Sequence, residues 1–217
     1  HMRAWQEMFN EGLSRHQGQS PYTDEDYFAY IDGKPRYDGV RDFLASRGIT
    51  LPEGDPSDGP GAQTICGLGN RKNDLFNTML VRDGIQPYPG SRRWVDMLHK
   101  HGVAMAVVSS SRNAAAVLEA AGMAEDFTVL VDGNLSKVEG LPGKPAPDTY
   151  LRGAELLGVP AGQCVVVEDA VSGVRAGVVG GFGMVLGVNR GIGADRLREA
   201  GADRVVDDLD EMAEEMA

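Results

Sequence analysis

The sequence predicts an α/β protein in which a core built on a parallel sheet follows a small helical domain. Short apolar runs recur along the second part of the chain, and stretches with helical spacing separate them. The first part holds most of the aromatic residues, its apolar residues recur at helical spacing, and it contains no convincing strand. We therefore expect a helical domain over residues 1–85 and an α/β core over residues 86–217.

The helical domain is predicted from two apolar patterns and one loop. The apolar residues with the spacing of a helical face are Ala4, Trp5, Met8 and Phe9, and then Val40, Phe43 and Leu44. Gly48 follows the second group, as glycine often follows the end of a helix. Residues 52–61, which read PEGDPSDGPG, have the composition of a surface loop.

The core is predicted from five short apolar runs, each bounded by glycine or polar residues. The expected strands lie within 103–109, 127–133, 164–169, 183–189 and 203–208. Helical stretches separate them at 90–101, 112–121, 147–158, 172–180 and 193–200. Such alternation is typical of a parallel sheet that is covered by helices on both faces.

Composition and charge restrict the possible functions. The chain has 217 residues and a formal charge of −11, which argues against a general nucleic-acid binder but leaves phosphorylated small molecules open. No apolar run approaches the roughly 20 residues that a membrane span needs, and no signal peptide is visible. The two cysteines, Cys66 and Cys164, lack metal-ligand spacing, so a reducing, cytoplasmic setting is expected.

Polar side chains follow three of the expected strands. These strand ends carry Ser109 with Ser110 and Ser111, Asp132, and Glu168 with Asp169. In parallel sheets, ligands bind beyond the carboxyl ends of the strands. We therefore expect these groups to converge on one site.

The adjacent carboxylates of Glu168 and Asp169 allow three interpretations. They could hold a hard cation such as Mg²⁺, which takes oxygen ligands, or they could form a general acid/base pair. Alternatively, Asp169 could cap the helix that begins near Ser172, and this would be the commoner role for such a residue taken alone.

Two further segments favour an anion site. The hydroxyls and backbone N–H groups of SSSRN, residues 109–113, could cradle an anion at a helix N-terminus, although a serine N-cap is equally compatible with this segment alone. Lys144 lies between Gly143 and Pro145 on a stiff turn, and a fixed cation there could neutralise a phosphate. The alternative is an exposed loop lysine.

Taken in order, these motifs resemble those of the haloacid dehalogenase superfamily, and within it the β-phosphoglucomutase-like subfamily with a helical cap. VVSSSRN corresponds to the family's hydroxyl motif, GKPAPDTY to its lysine motif and VVVEDAVSGVRAG to its acidic metal motif. HMRAW, DGKPRYDGV and NRKND are similar to segments of the mutase-type cap. The resemblance covers essentially the whole chain and implies a Rossmann-like core with a small helical cap domain.

The resemblance also implies roles for individual residues of the core. Glu168 and Asp169 would hold Mg²⁺, directly or through water. Ser109 and Lys144 would be the catalytic residues that clamp the transferring phosphoryl group, with the backbone at Ser110.

Further substrate contacts are implied at the same site and in the cap. Asn113 would contact the same phosphate. Arg36 and Lys72 would act at the distal phosphate of the substrate and at the cleft between the cap and the core. Gly33 would allow a close approach of the cap loop, and His1, if native, would lie at the hinge.

One part of the family pattern is absent from these residues. The family begins with a strand that ends in DxD, whose first Asp attacks phosphorus and whose second is the general acid/base. We expect that strand to be the central one, between the strands that end at Ser109 and Asp169, so that its loss exposes two inner strand edges. Either the start has been misassigned at Met2, with His1 a cloning remnant, or His1 is native and the preceding segment is missing or supplied separately.

The expected function is Mg²⁺-dependent phosphoryl transfer through an aspartyl phosphate, interconverting β-glucose 1-phosphate and glucose 6-phosphate. A polypeptide of these residues alone is expected to be inactive. Two alternatives remain open: a phosphatase of small phosphorylated metabolites, and a non-enzymatic remnant or phosphate-binding module. The expected partner is a small sugar phosphate rather than nucleic acid or membrane. The subfamily implies a monomer, although exposed strand edges could also associate.

Overall fold

The computed structural model describes residues 1–14, 16 and 18–215, which fall into two compact units, the first ending at Gly84 and the second beginning at Ile85. The described part of the first unit contains no strand, as the sequence predicts, and residues 52–61 form turns and irregular loop. Its helices are α1 (Met2–Leu13), α2 (Asp24–Asp26) with a π-helical turn after it (Tyr27–Ile31), α3 (Arg36–Ser46) and α4 (Ile65–Asp83).

The first unit is held together by an aromatic core. Along α1, apolar residues at helical spacing place Trp5, Met8 and Phe9 on one buried stripe. The Phe9 ring lies 4.1 Å from that of Phe43 on α3 and 5.2 Å from that of Tyr22, measured between ring centroids. These contacts show that the two predicted apolar patterns pack against each other. Burial of each such side chain stabilises the fold by about 1.5–3 kcal/mol.

The second unit contains the five predicted strands, but they form two parallel sheets rather than one. The strands are β1 (Ala106–Val108), β2 (Val129–Val131), β3 (Val165–Glu168), β4 (Met184–Val188) and β5 (Arg204–Val206). β1 pairs with β2, and β4 lies between β3 and β5. β1 and β3 each lie at one edge of their sheet, and these are the strands between which the family's first strand is expected.

Seven helices of the second unit surround the strands in its described part. They are α5 (Pro89–Lys100), α6 (Ala114–Ala120), α7 (Gly133–Glu139), α8 (Asp148–Leu157), α9 (Val171–Val179), α10 (Ala194–Glu199) and α11 (Asp210–Glu215). α8 packs against β1 and β2, α9 against β3 and β4, and α10 against β4 and β5. None of the helices in the described part of the chain is long and apolar enough to cross a membrane.

Close packing of α8 and α9 depends on two helical glycines. A Cβ atom at Gly153 would lie 3.0 Å from Val108, and one at Gly177 would lie 3.0 Å from Val185 and 3.2 Å from Val166. The two helices therefore approach the strands more closely than a side chain at these positions would allow. This packing fixes the loops that leave the carboxyl ends of β1 and β3.

Candidate active site

A buried ion pair joins the carboxyl ends of β1 and β3. The ammonium of Lys144 forms a salt bridge with the Glu168 carboxylate at the end of β3. The same nitrogen lies 3.5 Å from the carbonyl oxygen of Val108, the last residue of β1 and the neighbour of Ser109. Lys144 is 7% exposed and Glu168 is 8% exposed. The alternative of an exposed loop lysine is therefore wrong, and the structure brings the ends of these two strands to one cation.

The Glu168 carboxylate is satisfied by protein donors on both oxygens. Oε1 accepts hydrogen bonds from Lys144 and, at 2.6 Å, from the Tyr150 hydroxyl. Oε2 accepts from the backbone N–H groups of Asp169 and Ala170, both at 3.0 Å. Burial by itself would raise the pKa of Glu168, but the Lys144 charge and these hydrogen bonds outweigh it and hold the pKa below its ordinary value.

Asp169 is the exposed member of the acidic pair. Its pKa is raised to about 6, first by the protein atoms that displace water around it and second by the neighbouring Glu168 charge. Helix α9 begins at Val171 with Ala170 at the N-cap and no side-chain capping bond. The interpretation of Asp169 as a helix cap is therefore wrong. Its carboxylate has a charge that a bound cation would stabilise.

The serine loop after β1 is organised by its own hydroxyls. The Ser109 hydroxyl oxygen accepts a hydrogen bond from the backbone N–H of Ser111, and the Ser111 hydroxyl oxygen accepts one from that of Asn113, both at 3.1 Å. Helix α6 has Asn113 at its N-cap without a side-chain capping bond. The hydroxyls thus shape the loop rather than cap the helix, which rules out the serine N-cap interpretation.

The end of β2 supports this loop instead of contributing a free carboxylate. Asp132 is buried and caps α7 by accepting from the N–H groups of Asn134 and Leu135, each at 2.9 Å. At Gly133 a Cβ atom would lie 2.7 Å from the carbonyl oxygen of Ser110, so glycine lets the two loops touch. Of the three predicted strand ends, those of β1 and β3 therefore both contact Lys144, whereas Asp132 at the end of β2 caps a helix.

In the first unit, the buried Lys72 side chain contacts the exposed His1 and two aromatic rings. The Lys72 ammonium lies 2.8 Å from His1 Nδ1 and 4.9 Å and 5.0 Å from the ring centroids of Trp5 and Phe76. Burial first, and the charge of Arg36 second, lower the pKa of Lys72 from 10.5 to about 7. None of these contacting groups is negatively charged, so an anionic ligand would be favoured here.

Arg36 is oriented by neutral amides on α4. Its guanidinium donates to the side-chain oxygens of Asn73 at 2.9 Å and Asn70 at 3.4 Å. A Cβ atom at Gly69 would lie 2.7 Å from the Tyr37 ring and 3.1 Å from the Arg36 side chain, so glycine makes room for both. Gly33, with φ of 72°, forms the turn that leads through Pro35 into α3, a conformation that favours glycine.

Replacement of Lys72 by methionine is expected to change how stability depends on pH. Because the folded pKa is about 7 and the ordinary value is 10.5, the unfolded chain binds more protons between these pH values. The free energy of unfolding of the unsubstituted protein should therefore rise as the pH increases from about 7 to 10.5. The cost of burying the charged Lys72 ammonium should be complete below pH 7. Lys72→Met should remove this slope and stabilise the protein at pH 7 by up to a few kcal/mol, as measured by urea unfolding.

The same substitution at Lys100, which is exposed at the end of α5, provides the control. Lys100→Met should change the free energy of unfolding by no more than about 0.5 kcal/mol at any pH. Equal pH slopes for Lys72→Met and the unsubstituted protein would contradict the prediction.

Four residues near the core site were missed by sequence reasoning. Tyr150 binds Glu168, Gly173 leaves the space that Glu168 occupies, and Arg112 lies within the serine loop. Arg190 follows β4, contacts the Asp208 carboxylate at 3.1 Å and has a charge that opposes the rise in the pKa of Asp169. Arg190 could have been found by applying the strand-end rule to β4, whereas Tyr150 lies at the end of the GKPAPDTY motif but was given no role.

Comparison with known proteins identifies the family of this chain. The sequence model of the haloacid dehalogenase-like hydrolase family matches residues 1–181. A β-phosphoglucomutase of Mycobacterium bovis is 45% identical, over 98% of this chain and 84% of that protein. Hexitol phosphatase A of Escherichia coli is 31% identical, over 91% of this chain and 79% of that protein.

A solved structure agrees at the level of the fold. The crystal structure of a β-phosphoglucomutase from Clostridium difficile covers 97% of this chain, with 84% of its own length matched, a TM-score of 0.77 and 19% sequence identity. Parallel strands with intervening helices are therefore shared, although identity this low shows the fold alone. The chain belongs to the haloacid dehalogenase superfamily, in its β-phosphoglucomutase-like branch, and is an enzyme of the phosphomutase and phosphatase class found there.

Proposed function

We propose that this chain carries the phosphate-binding and cap residues of a Mg²⁺-dependent β-phosphoglucomutase, which interconverts β-glucose 1-phosphate and glucose 6-phosphate. The observation that carries this proposal is the buried Lys144–Glu168 pair beside Ser109, where the ends of β1 and β3 meet. A β-phosphoglucomutase that is 45% identical along nearly the whole chain supports the choice of reaction.

The acidic pair fits Mg²⁺ through one exposed carboxylate. Mg²⁺ keeps several waters and is usually bound by one or two carboxylates together with substrate phosphate. Asp169 is exposed and has a raised pKa, both of which suit a ligand. Glu168 already accepts four hydrogen bonds from protein donors, so a role through water fits it better than direct ligation. The ion, when bound, would neutralise charge on the transferring phosphoryl group.

The residues of the core would hold the phosphoryl group from two sides. Lys144 supplies a fixed positive charge, because the Glu168 salt bridge and burial restrict where its ammonium can lie. Ser109, with the backbone at Ser110, offers hydrogen-bond donors in a loop that is already ordered by the Ser109–Ser111 contact. Asn113 would contact the same phosphate. Preorganised groups of this kind favour the transition state because they need little rearrangement when charge develops.

The cap residues would hold the distal phosphate. Arg36 and Lys72 bring two cationic groups into one unit, and the influence of Arg36 on the pKa of Lys72 shows that their charges interact. An anionic phosphate would relieve this repulsion. His1 would lie at the hinge, and Gly33 would let the cap loop approach the substrate. Exclusion of water by the cap matters because a sugar hydroxyl must compete with hydrolysis.

The nucleophile of the proposed reaction would be an aspartate in a DxD strand, which these 217 residues do not contain. A polypeptide of these residues alone should therefore show no phosphoryl transfer. The measurement is turnover of β-glucose 1-phosphate by a preparation whose intact mass matches 217 residues. Turnover by that preparation would refute this part of the proposal.

A longer chain that includes a DxD strand distinguishes the mutase from the phosphatase. With β-glucose 1-phosphate and a bisphosphate primer, a mutase gives glucose 6-phosphate, whereas a phosphatase gives free phosphate. The phosphatase remains the second candidate because hexitol phosphatase A is 31% identical over most of the chain. Failure of that longer chain to turn over any sugar phosphate would favour a phosphate-binding module.

We further propose that the enzyme acts as a cytoplasmic monomer. Cys66 and Cys164 are both free thiols, which suits a reducing compartment. The formal charge of −11 favours small-molecule substrates over nucleic acid as partners.

A further inference from the structure

Tyr150 contacts both members of the buried ion pair. It lies near the start of α8 and is 7% exposed. Its hydroxyl donates to Glu168 Oε1 at 2.6 Å, and its ring centroid lies 4.6 Å from the Lys144 ammonium. One side chain therefore supports the carboxylate through its hydroxyl and the cation through its ring.

Four groups donate hydrogen bonds to Glu168 in the described structure, and the Tyr150 hydroxyl is the only uncharged side chain among them. Oε1 is shared between Tyr150 and Lys144, whereas Oε2 is held by backbone N–H groups. Without the tyrosine donor, the flexible Lys144 side chain would be the one remaining partner of Oε1 in the described structure. In a buried network the loss of one donor weakens the bonds that remain.

We propose that Tyr150 is a positioning residue, whose hydroxyl fixes Glu168 and thereby places the Lys144 ammonium for an oxyanion at the ends of β1 and β3. This inference rests on the proposed phosphoryl-binding role of Lys144. In this proposal Tyr150 acts through Glu168, to which its hydroxyl donates.

The chain contains a natural control for this hydroxyl. Tyr22 is 3% exposed, and its hydroxyl has no hydrogen-bond partner in the described structure. Tyr→Phe at position 22 removes a hydroxyl from a buried site without breaking a hydrogen bond. Tyr→Phe at position 150 removes a hydroxyl that holds a buried charge. The two substitutions are chemically identical, and only the one at position 150 breaks a hydrogen bond.

The test follows the ammonium signal of Lys144 by NMR in protein labelled with ¹⁵N-lysine. In the unsubstituted protein and in Tyr22→Phe, the buried and paired ammonium should exchange slowly and give a resolved signal. In Tyr150→Phe the signal should broaden or vanish, and inorganic phosphate titrated against the folded variant should bind about tenfold more weakly, the effect of losing one hydrogen bond to a charged group. A resolved Lys144 signal and unchanged phosphate affinity in Tyr150→Phe would overturn the proposal.

Two further outcomes keep the test decisive. If Tyr150→Phe does not fold, the unsubstituted protein is titrated with phosphate and the NMR signals of the Tyr150 ring are followed instead. These signals should shift at the same phosphate concentration as the Lys144 signal. A Tyr150 ring signal that does not shift would overturn the proposal. If the unsubstituted protein does not bind inorganic phosphate, the proposed function fails, while the effect of Tyr150→Phe on the Lys144 signal still decides whether Tyr150 positions the lysine.

Discussion

Replacement of Glu168 by glutamine is expected to destabilise the second unit by about 3–5 kcal/mol, because it leaves the buried Lys144 ammonium without a counter-charge. Glutamine keeps the size of the side chain, so the loss reports charge rather than packing. It also places an amide N–H₂ group where Glu168 now accepts hydrogen bonds on both oxygens. Urea unfolding at neutral pH measures the difference in free energy.

A double variant distinguishes this explanation from general damage to the core. Lys144→Met added to Glu168→Gln removes both charges, so much of the lost stability should return although the phosphate site is destroyed. Asp195→Asn breaks an ion pair with Arg198 that is largely exposed and should cost less than about 1 kcal/mol. Additive losses in the double variant would contradict the prediction.

The effect of Glu168→Gln should also depend on pH. The pKa of Glu168 is lower when folded than its ordinary value of 4.5, so its stabilising contribution is complete above that value. The contribution is lost as the pH falls through the folded pKa and Glu168 becomes protonated. The difference in stability between the unsubstituted protein and Glu168→Gln should therefore narrow in acid.

Replacement of Gly173 by alanine is expected to be as damaging as the loss of Glu168 itself. A Cβ atom at this position would lie 2.1 Å from both Cδ and Oε1 of Glu168, so the carboxylate would have to leave its place. It would then lose Lys144 and Tyr150 together. We expect a loss of about 3 kcal/mol or more in the free energy of unfolding, together with loss of phosphate binding by calorimetry.

Gly12 provides the matched substitution. It lies in α1, and a Cβ atom there would meet no atom within 4 Å. Gly12→Ala should stabilise the protein by up to about 1 kcal/mol, since alanine has the higher helix propensity. If Gly173→Ala behaved like Gly12→Ala, the contact between Gly173 and Glu168 could not be what fixes the carboxylate.

The positions of the strands could be predicted because each is a short apolar run between polar residues. β3, for example, was predicted from the apolar run at 164–167, which the polar residues Glu168 and Asp169 end. The division into two sheets could not be predicted this way, because pairing depends on neighbours far away in the sequence. Helix α7 was missed because Asp132 was interpreted as a site residue rather than as its cap.

The sequence suggested individual residues of the candidate site but not the contacts between them. Lys144 and Glu168 were assigned separately to phosphate and metal, and the sequence contains no signal that they bind each other. A direct contact of this kind depends on how α8 places Tyr150 and on the space left at Gly173. The roles proposed for Asn113, Arg36 and the other site residues stay predictions until ligand binding is measured.

The serine loop has a consequence for the kind of ligand that it can select. The Ser109 oxygen already accepts a hydrogen bond from the Ser111 N–H, so the proton of its hydroxyl is left for an acceptor. The Lys144 ammonium, which lies 3.5 Å from the carbonyl oxygen of the neighbouring Val108, can only donate. The end of β1 therefore offers hydrogen-bond donors to a bound molecule, and it favours groups that accept hydrogen bonds over ammonium groups of the same size.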